Sequence, residues 1–148
     1  MQRRFTLTES LLKCLKRGKL NEQTLAADVI MLTFIQLGYS SSESLDFLNE
    51  SKAMLVDLIE DEKVDPEVRA ACIRTLSLAL FITNDNSTDT MTILEKFETL
   101  FSSSYAKGDG TLRTFTPKVY ELHSTALSAW CLLLCIMPLP YVNKLAQK

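Results

Sequence analysis

Apolar residues along this chain recur at spacings of three and four. Leu7, Leu11, Cys14 and Leu15 form one such stripe, Leu45, Leu48, Leu55, Leu58 and Ile59 a second, and Met91, Leu94, Phe97, Leu100 and Phe101 a third. That periodicity marks amphipathic helices, each turning one face to a core. Between them lie segments that are apolar around most of their circumference. Residues 22–37 carry Leu25, Ala26, Val29, Leu32, Ile35 and Leu37, and residues 66–82 and 119–137 are similarly rich. A helix of that kind is expected to be covered on both sides, as the inner helices of a stacked array are. The chain therefore reads as all-α, with six helices of two alternating kinds and the start of a seventh at Tyr141, Val142 and Leu145.

Local signals set the boundaries. Thr6 and Glu9 have the spacing of a capping box, which opens the first helix. Gly18 is a natural stop, because glycine enters the left-handed region at a helix end without a steric penalty. Asn21 is the expected N-cap of the second helix, which runs to Gly38. The third is predicted over 43–59. Asp65-Pro66 then gives an N-cap and a proline at the first helical position, starting a fourth helix that reaches Ile82. The fifth is predicted over 89–101. A loop over 102–118, rich in Ser, Gly and Thr, separates it from the sixth, predicted over 119–137 and stopped by Pro138.

The second, fourth and sixth helices resemble one another. Setting Ala27 beside Ala71 and Ala126 brings Phe34, Leu78 and Leu133 into register, with Leu32 beside Leu76. Pairing each with the amphipathic helix before it gives about three helical hairpins, an armadillo/HEAT-like solenoid. No hairpin in such an array buries its apolar faces alone, so stability comes from stacking on neighbours. The sixth and seventh helices show no polar capping pattern. Residues 1–148 are accordingly expected to form one helical-repeat domain, either a segment of a longer solenoid or one that pairs with another chain.

Charge adds an asymmetry to this picture. Residues 1–19 hold Arg3, Arg4, Lys13, Lys16, Arg17 and Lys19 against Glu9 alone, whereas the remainder holds 10 basic and 17 acidic residues. By their spacing Lys13, Lys16 and Arg17 share a helix face. Such a patch suits a phosphate backbone or an acidic protein partner, although a solvated helix face has the same pattern. Phe5 is the only aromatic nearby, so base stacking is poorly served. No apolar run follows the basic start as a secretory signal requires. The most apolar stretch, 126–139, is interrupted by Pro138 and falls short of the roughly 20 residues that span a bilayer. A soluble, intracellular chain is expected, with no membrane partner.

Groups for chemistry are few. Cys14, Cys72, Cys131 and Cys135 contain no CxxC pair, and buried, free thiols are the expectation. His123 is the only histidine. An enzyme using Cys72 or Cys131 with His123 is conceivable, but no local signature supports either cysteine as a nucleophile. Cys131, Cys135 and His123 do not fit a zinc pattern, and no P-loop, GxGxxG or HExxH occurs. Asp57, Glu60, Asp61 and Glu62 cluster without EF-hand spacing and read as a solvated connector. Trp130, between Leu127 and Leu133, reads as core. No catalytic residue, cofactor, metal or small-molecule substrate is expected.

The order of segments resembles the interferon-related developmental regulator family. The similarity runs through FTLTESLLKCLKRGK, NEQTLAA and IQLG within 5–38, then PEVRAACIRTLSLALFIT at 66–83. It continues through ILEKFETLFSSSY at 93–105 and LHSTALSAWCLLLCIMP at 122–138. The resemblance implies an armadillo/HEAT-like fold without catalytic motifs. It also implies a regulatory scaffold in nucleus and cytoplasm, with corepressor or ribosomal proteins, and ribosomal RNA, as partners in transcriptional or translational control. Family members are longer than this chain, with further helices on either side. One departure stands out: Asp28 occupies a position where the family usually has a small residue.

Overall fold

The computed structural model describes residues 10–37, 42–102 and 117–147, apart from Leu12 and the side chains of Phe34, Leu37, 42–48 and Glu50. Every regular element among the described residues is helical. The first, α1, ends at residue 17; α2 spans Leu20–Leu37, α3 Ser42–Glu60, α4 Pro66–Ile82, α5 Thr88–Ser102, α6 Pro117–Leu134 and α7 Leu139–Ala146. The capping box of Thr6 and Glu9, the loop 103–116, and the side chains of Leu45 and Leu48 lie outside the described residues.

The ends of the helices follow from particular residues. Asp65 accepts the Glu67 amide at 2.9 Å and Pro66 occupies the first position of α4, as the sequence implies. At the other end of α4, Asn84 takes a left-handed φ of 52°. This lets the Asp85 amide reach the Leu80 carbonyl at 2.9 Å and the Asn84 amide reach Phe81 at 3.1 Å, the Schellman closure of a helix. Ser87 receives the Thr90 amide at 3.5 Å and opens α5.

Three boundaries differ from expectation. Asn21 lies inside the first turn of α2, because the Gln23 amide already bonds the Lys19 carbonyl at 2.9 Å. Gly18 does not adopt the left-handed conformation. It is required by crowding, since a Cβ there would stand 2.5 Å from the Cys14 carbonyl oxygen and 2.9 Å from Glu22 Cβ. The last turn of α6 tightens, with the amides of Cys135, Ile136 and Met137 bonding three residues back at 3.1–3.2 Å. Pro138 explains the change, since the residue before a proline is steered away from the α region. Pro138 also ends one helix and starts the next: its carbonyl accepts from Tyr141 and Val142 at 3.0 and 3.2 Å.

Side by side, α2, α4 and α6 form a row with α4 at its centre, while α3 packs on α4 and α5 on α6. The small residues Ala70, Ala71 and Ala79 of α4, and Ala126 and Ala129 of α6, are buried and let these helices approach closely. Leu76 and Leu80 of α4, Ile30 of α2, Leu55 of α3, Phe97 of α5 and Leu133 of α6 are all but fully buried in one shared core. Each such side chain stabilises by about 1.5–3 kcal/mol relative to exposure. Polar ties secure the stacking. The Thr75 hydroxyl is shared between Ala71 of its own helix and Ala27 of α2, both at 2.9 Å. Arg69 of α4 is buried and its Nε donates to the Ile59 carbonyl at 2.8 Å, closing the end of α3. Gln23 Nε2 donates to the Leu15 carbonyl at 2.9 Å and holds α1 to α2.

The expectation of full cover fails for α2. Ala26, Ala27 and Ile30 face the core, but Leu25, Leu32 and Ile35 on the opposite side are 63, 58 and 52 % exposed. Among the described residues α4 has neighbours on both sides within the row, whereas α2 has one on one side only.

Candidate partner-binding surface

Lys13, Lys16 and Arg17 project from α1 away from its buried Leu15, and Lys19 follows in the short link to α2. All four are exposed, and none takes part in an ion pair among the described residues. The structure thus brings four of the six basic candidates onto one end of the molecule. Arg3 and Arg4 lie outside the described residues.

A second surface was not legible in the sequence. An open groove of about 410 Å³ crosses the row of α2, α4 and α6. Its floor is Met31, Leu78 and Leu132, one residue from each helix, and Ser124 and Ser128 line its α6 side. At the rim Arg74 Nη1 stands 3.8 Å from Glu121 Oε1, a loose contact between two half-exposed side chains. The one sequence signal for this groove is the recurrence of small hydroxyl residues at 124, 125 and 128 within an apolar helix.

Apolar surface is also left uncovered at both ends of the row. Beside the α2 stripe, Tyr120 and Leu127 of α6 and Leu139 of α7 are exposed. On α6 they lie opposite the buried Leu122, Ala126, Ala129 and Leu133.

The residues considered for chemistry are scattered. Of the four free thiols only Cys72 is buried, so the expectation of four buried thiols is corrected. Cys14, Cys131 and Cys135 are exposed, because they fall on helix faces turned away from the core. Burial pushes the Cys72 thiol up to about 12, with Arg74 opposing weakly, which keeps it protonated at neutral pH. His123 is half-buried on α6. No group of three or more His, Cys, Asp or Glu among the described residues stands close enough to hold a metal ion.

The acidic connector after α3 has structural partners: Glu60 pairs with Lys96, and Asp61 accepts the Lys63 amide at 2.9 Å. Burial lowers the Arg69 pKa against the opposing pull of Glu62 and Asp61. Trp130, read as core, is half-buried, edge-on to Phe101 at a centroid distance of 5.4 Å. Its indole N–H has no partner among the described residues. No helix among the described residues is long and apolar enough to cross a membrane.

Paired helices stacked through a shared apolar interior, with a groove and bare apolar faces along the row, define an all-α helical-repeat protein. Comparison with known proteins gives its family. The model of the interferon-related developmental regulator family matches residues 1–148, and the chain belongs to that family. It is 38 % identical over 144 residues to interferon-related developmental regulator 1 of Mus musculus, covering 97 % of this chain and 32 % of that protein. The Homo sapiens protein of the same name is 37 % identical over 145 residues, with the same coverage. Interferon-related developmental regulator 2 of Mus musculus is 28 % identical over 148 residues, all of this chain and 33 % of that protein. The chain spans about a third of the length of these curated relatives.

Proposed function

We propose that the chain is a non-catalytic interaction scaffold that acts with corepressor or ribosomal proteins, in nucleus and cytoplasm, in transcriptional or translational control. The observation that carries this reading is the family match over residues 1–148. The groove and the bare faces of α2 and α6 support it, since exposed apolar surface on a helical row suits macromolecular docking. The same two faces are where neighbouring repeats of a longer solenoid would stack. Affinity capture from cell extract tests the scaffold. It should recover specific proteins, lost when Leu25, Leu32 and Ile35 are all changed to Gln or when the groove is blocked. Capture of no protein above a control column contradicts it.

A second reading is favoured by the exposure of Lys13, Lys16, Arg17 and Lys19. In it α1 contacts ribosomal RNA through phosphates, without reading sequence. Charge reversal at Lys13, Lys16 and Arg17 should abolish co-sedimentation with ribosomes and flatten its salt dependence. Unchanged sedimentation eliminates the RNA contact.

A further inference from the structure

The groove across α2, α4 and α6 differs from the other bare surfaces in joining an apolar floor to ordered polar groups. Ser124 and Ser128 are exposed along its α6 wall, one turn apart. Four residues of helix advance about 6 Å. An extended peptide repeats every two residues, about 6.6 Å, so a segment laid along α6 brings successive same-side backbone groups to successive serine hydroxyls. An extended chain needs such partners, because it does not satisfy its own N–H and C=O groups as a helix does.

Charge selects the kind of segment. Glu121, 57 % exposed, flanks the floor on the α6 side and is only loosely engaged by Arg74. Asp28 stands three residues before Met31, hence on the same side of α2, and places a second carboxylate across the floor. Arg74 is the one cation among the lining residues. Residues 20–148 carry 17 acidic and 10 basic side chains, so the field of the body draws a basic segment towards the groove.

From this geometry we infer that the groove receives an extended segment of a partner protein, apolar at alternate positions and basic at its flanks. Its apolar side chains fill the floor between Met31, Leu78 and Leu132, and its lysines or arginines meet Asp28 and Glu121. The inference rests on the scaffold reading and names the surface that reading leaves open. Asp28, the departure from the family pattern, becomes a determinant of what this chain selects.

Short random peptides displayed on phage, selected against the purified chain and resynthesised for fluorescence anisotropy, test it. The enriched peptides should alternate Leu, Ile or Val with other residues between flanking Lys or Arg. Their affinity should fall about tenfold or more in the double variant D28K/E121K and in Ser128→Trp, which fills the groove. The triple variant K13E/K16E/R17E should bind as the parent does. Circular dichroism checks folding, and Ser124→Trp, also at an exposed position, replaces Ser128→Trp if that variant fails to fold. No enrichment, enrichment of acidic or patternless peptides, or affinity indifferent to the tryptophans overturns the inference. A parent chain that elutes as a dimer and becomes monomeric on filling the groove also overturns it, giving the groove to a second copy. Cellular partners still captured by Ser128→Trp sink the groove and spare the scaffold, whereas capture of no partner by the parent sinks the scaffold itself.

Discussion

Helices α2 and α4 occupy equivalent places in the repeat, yet one is covered around most of its circumference and the other is half bare. Along α4, from Val68 to Ile82, buried residues face every direction but that of Arg74 and its neighbours. Along α2, Ala26, Ala27 and Ile30 are buried while Leu25, Leu32 and Ile35 face water. Both helices are apolar nearly all round. The difference lies in neighbours: α4 has α2, α6 and α3 against it, and α2 has α4 on one side of the row only. Apolarity therefore records what a face can be covered by, and a position in the stack decides whether it is.

The contrast can be broken by substitution. Leu76→Ala, in the middle of α4 with no exposed surface, should cost about 3 kcal/mol, read as a lower midpoint in urea unfolding. Arg69→Met should cost about 2 kcal/mol, because it leaves the Ile59 carbonyl at the end of α3 without its buried donor.

A smaller effect is expected at Asp85, which follows α4. Burial works against its charged form, but the Ser87 hydroxyl and amide, and Lys52 at 3.7 Å, outweigh it and hold the carboxyl below its usual range. A folded pKa below the unfolded value of about 3.9 gives stability that is present above that pH and lost as pH falls through the folded value. Asp85→Asn should thus lose up to ~1 kcal/mol at neutral pH and weaken the acid-side fall in stability below about pH 4. The smallest effect belongs to α2. Leu32→Gln should change stability by about 0.5 kcal/mol or less, since the side chain is already in water. A loss at Leu32 equal to that at Leu76 would erase the distinction between the two helices.

Much of the fold was legible because its signals are local. Asp65-Pro66 reports its own cap, and the stripe of α5 reports a buried face through Ile93, Leu94 and Phe97. What was misread depends on contacts between helices. Gly18 was assigned to a conformation, whereas its need comes from Glu22 and Cys14 crowding the turn. Cys131 and Cys135 were placed inside with their apolar neighbours, though they sit on the side of α6 away from Leu122, Ala126 and Leu133. Of the candidate surface, Lys13, Lys16, Arg17 and Lys19 were found because exposed charge declares itself in sequence. The groove was not, because Met31, Leu78 and Leu132 come together only when three helices far apart in the chain lie side by side.

The central claim is that α4 is the covered spine of the row and α2 its open edge. Amide hydrogen exchange of the intact chain, followed by mass spectrometry, tests it most directly. Peptides from Pro66–Ile82 should exchange last, at the rate of global unfolding, and those from Leu20–Leu37 well before them. Equal protection of the two helices, or later exchange in α2, would contradict the account.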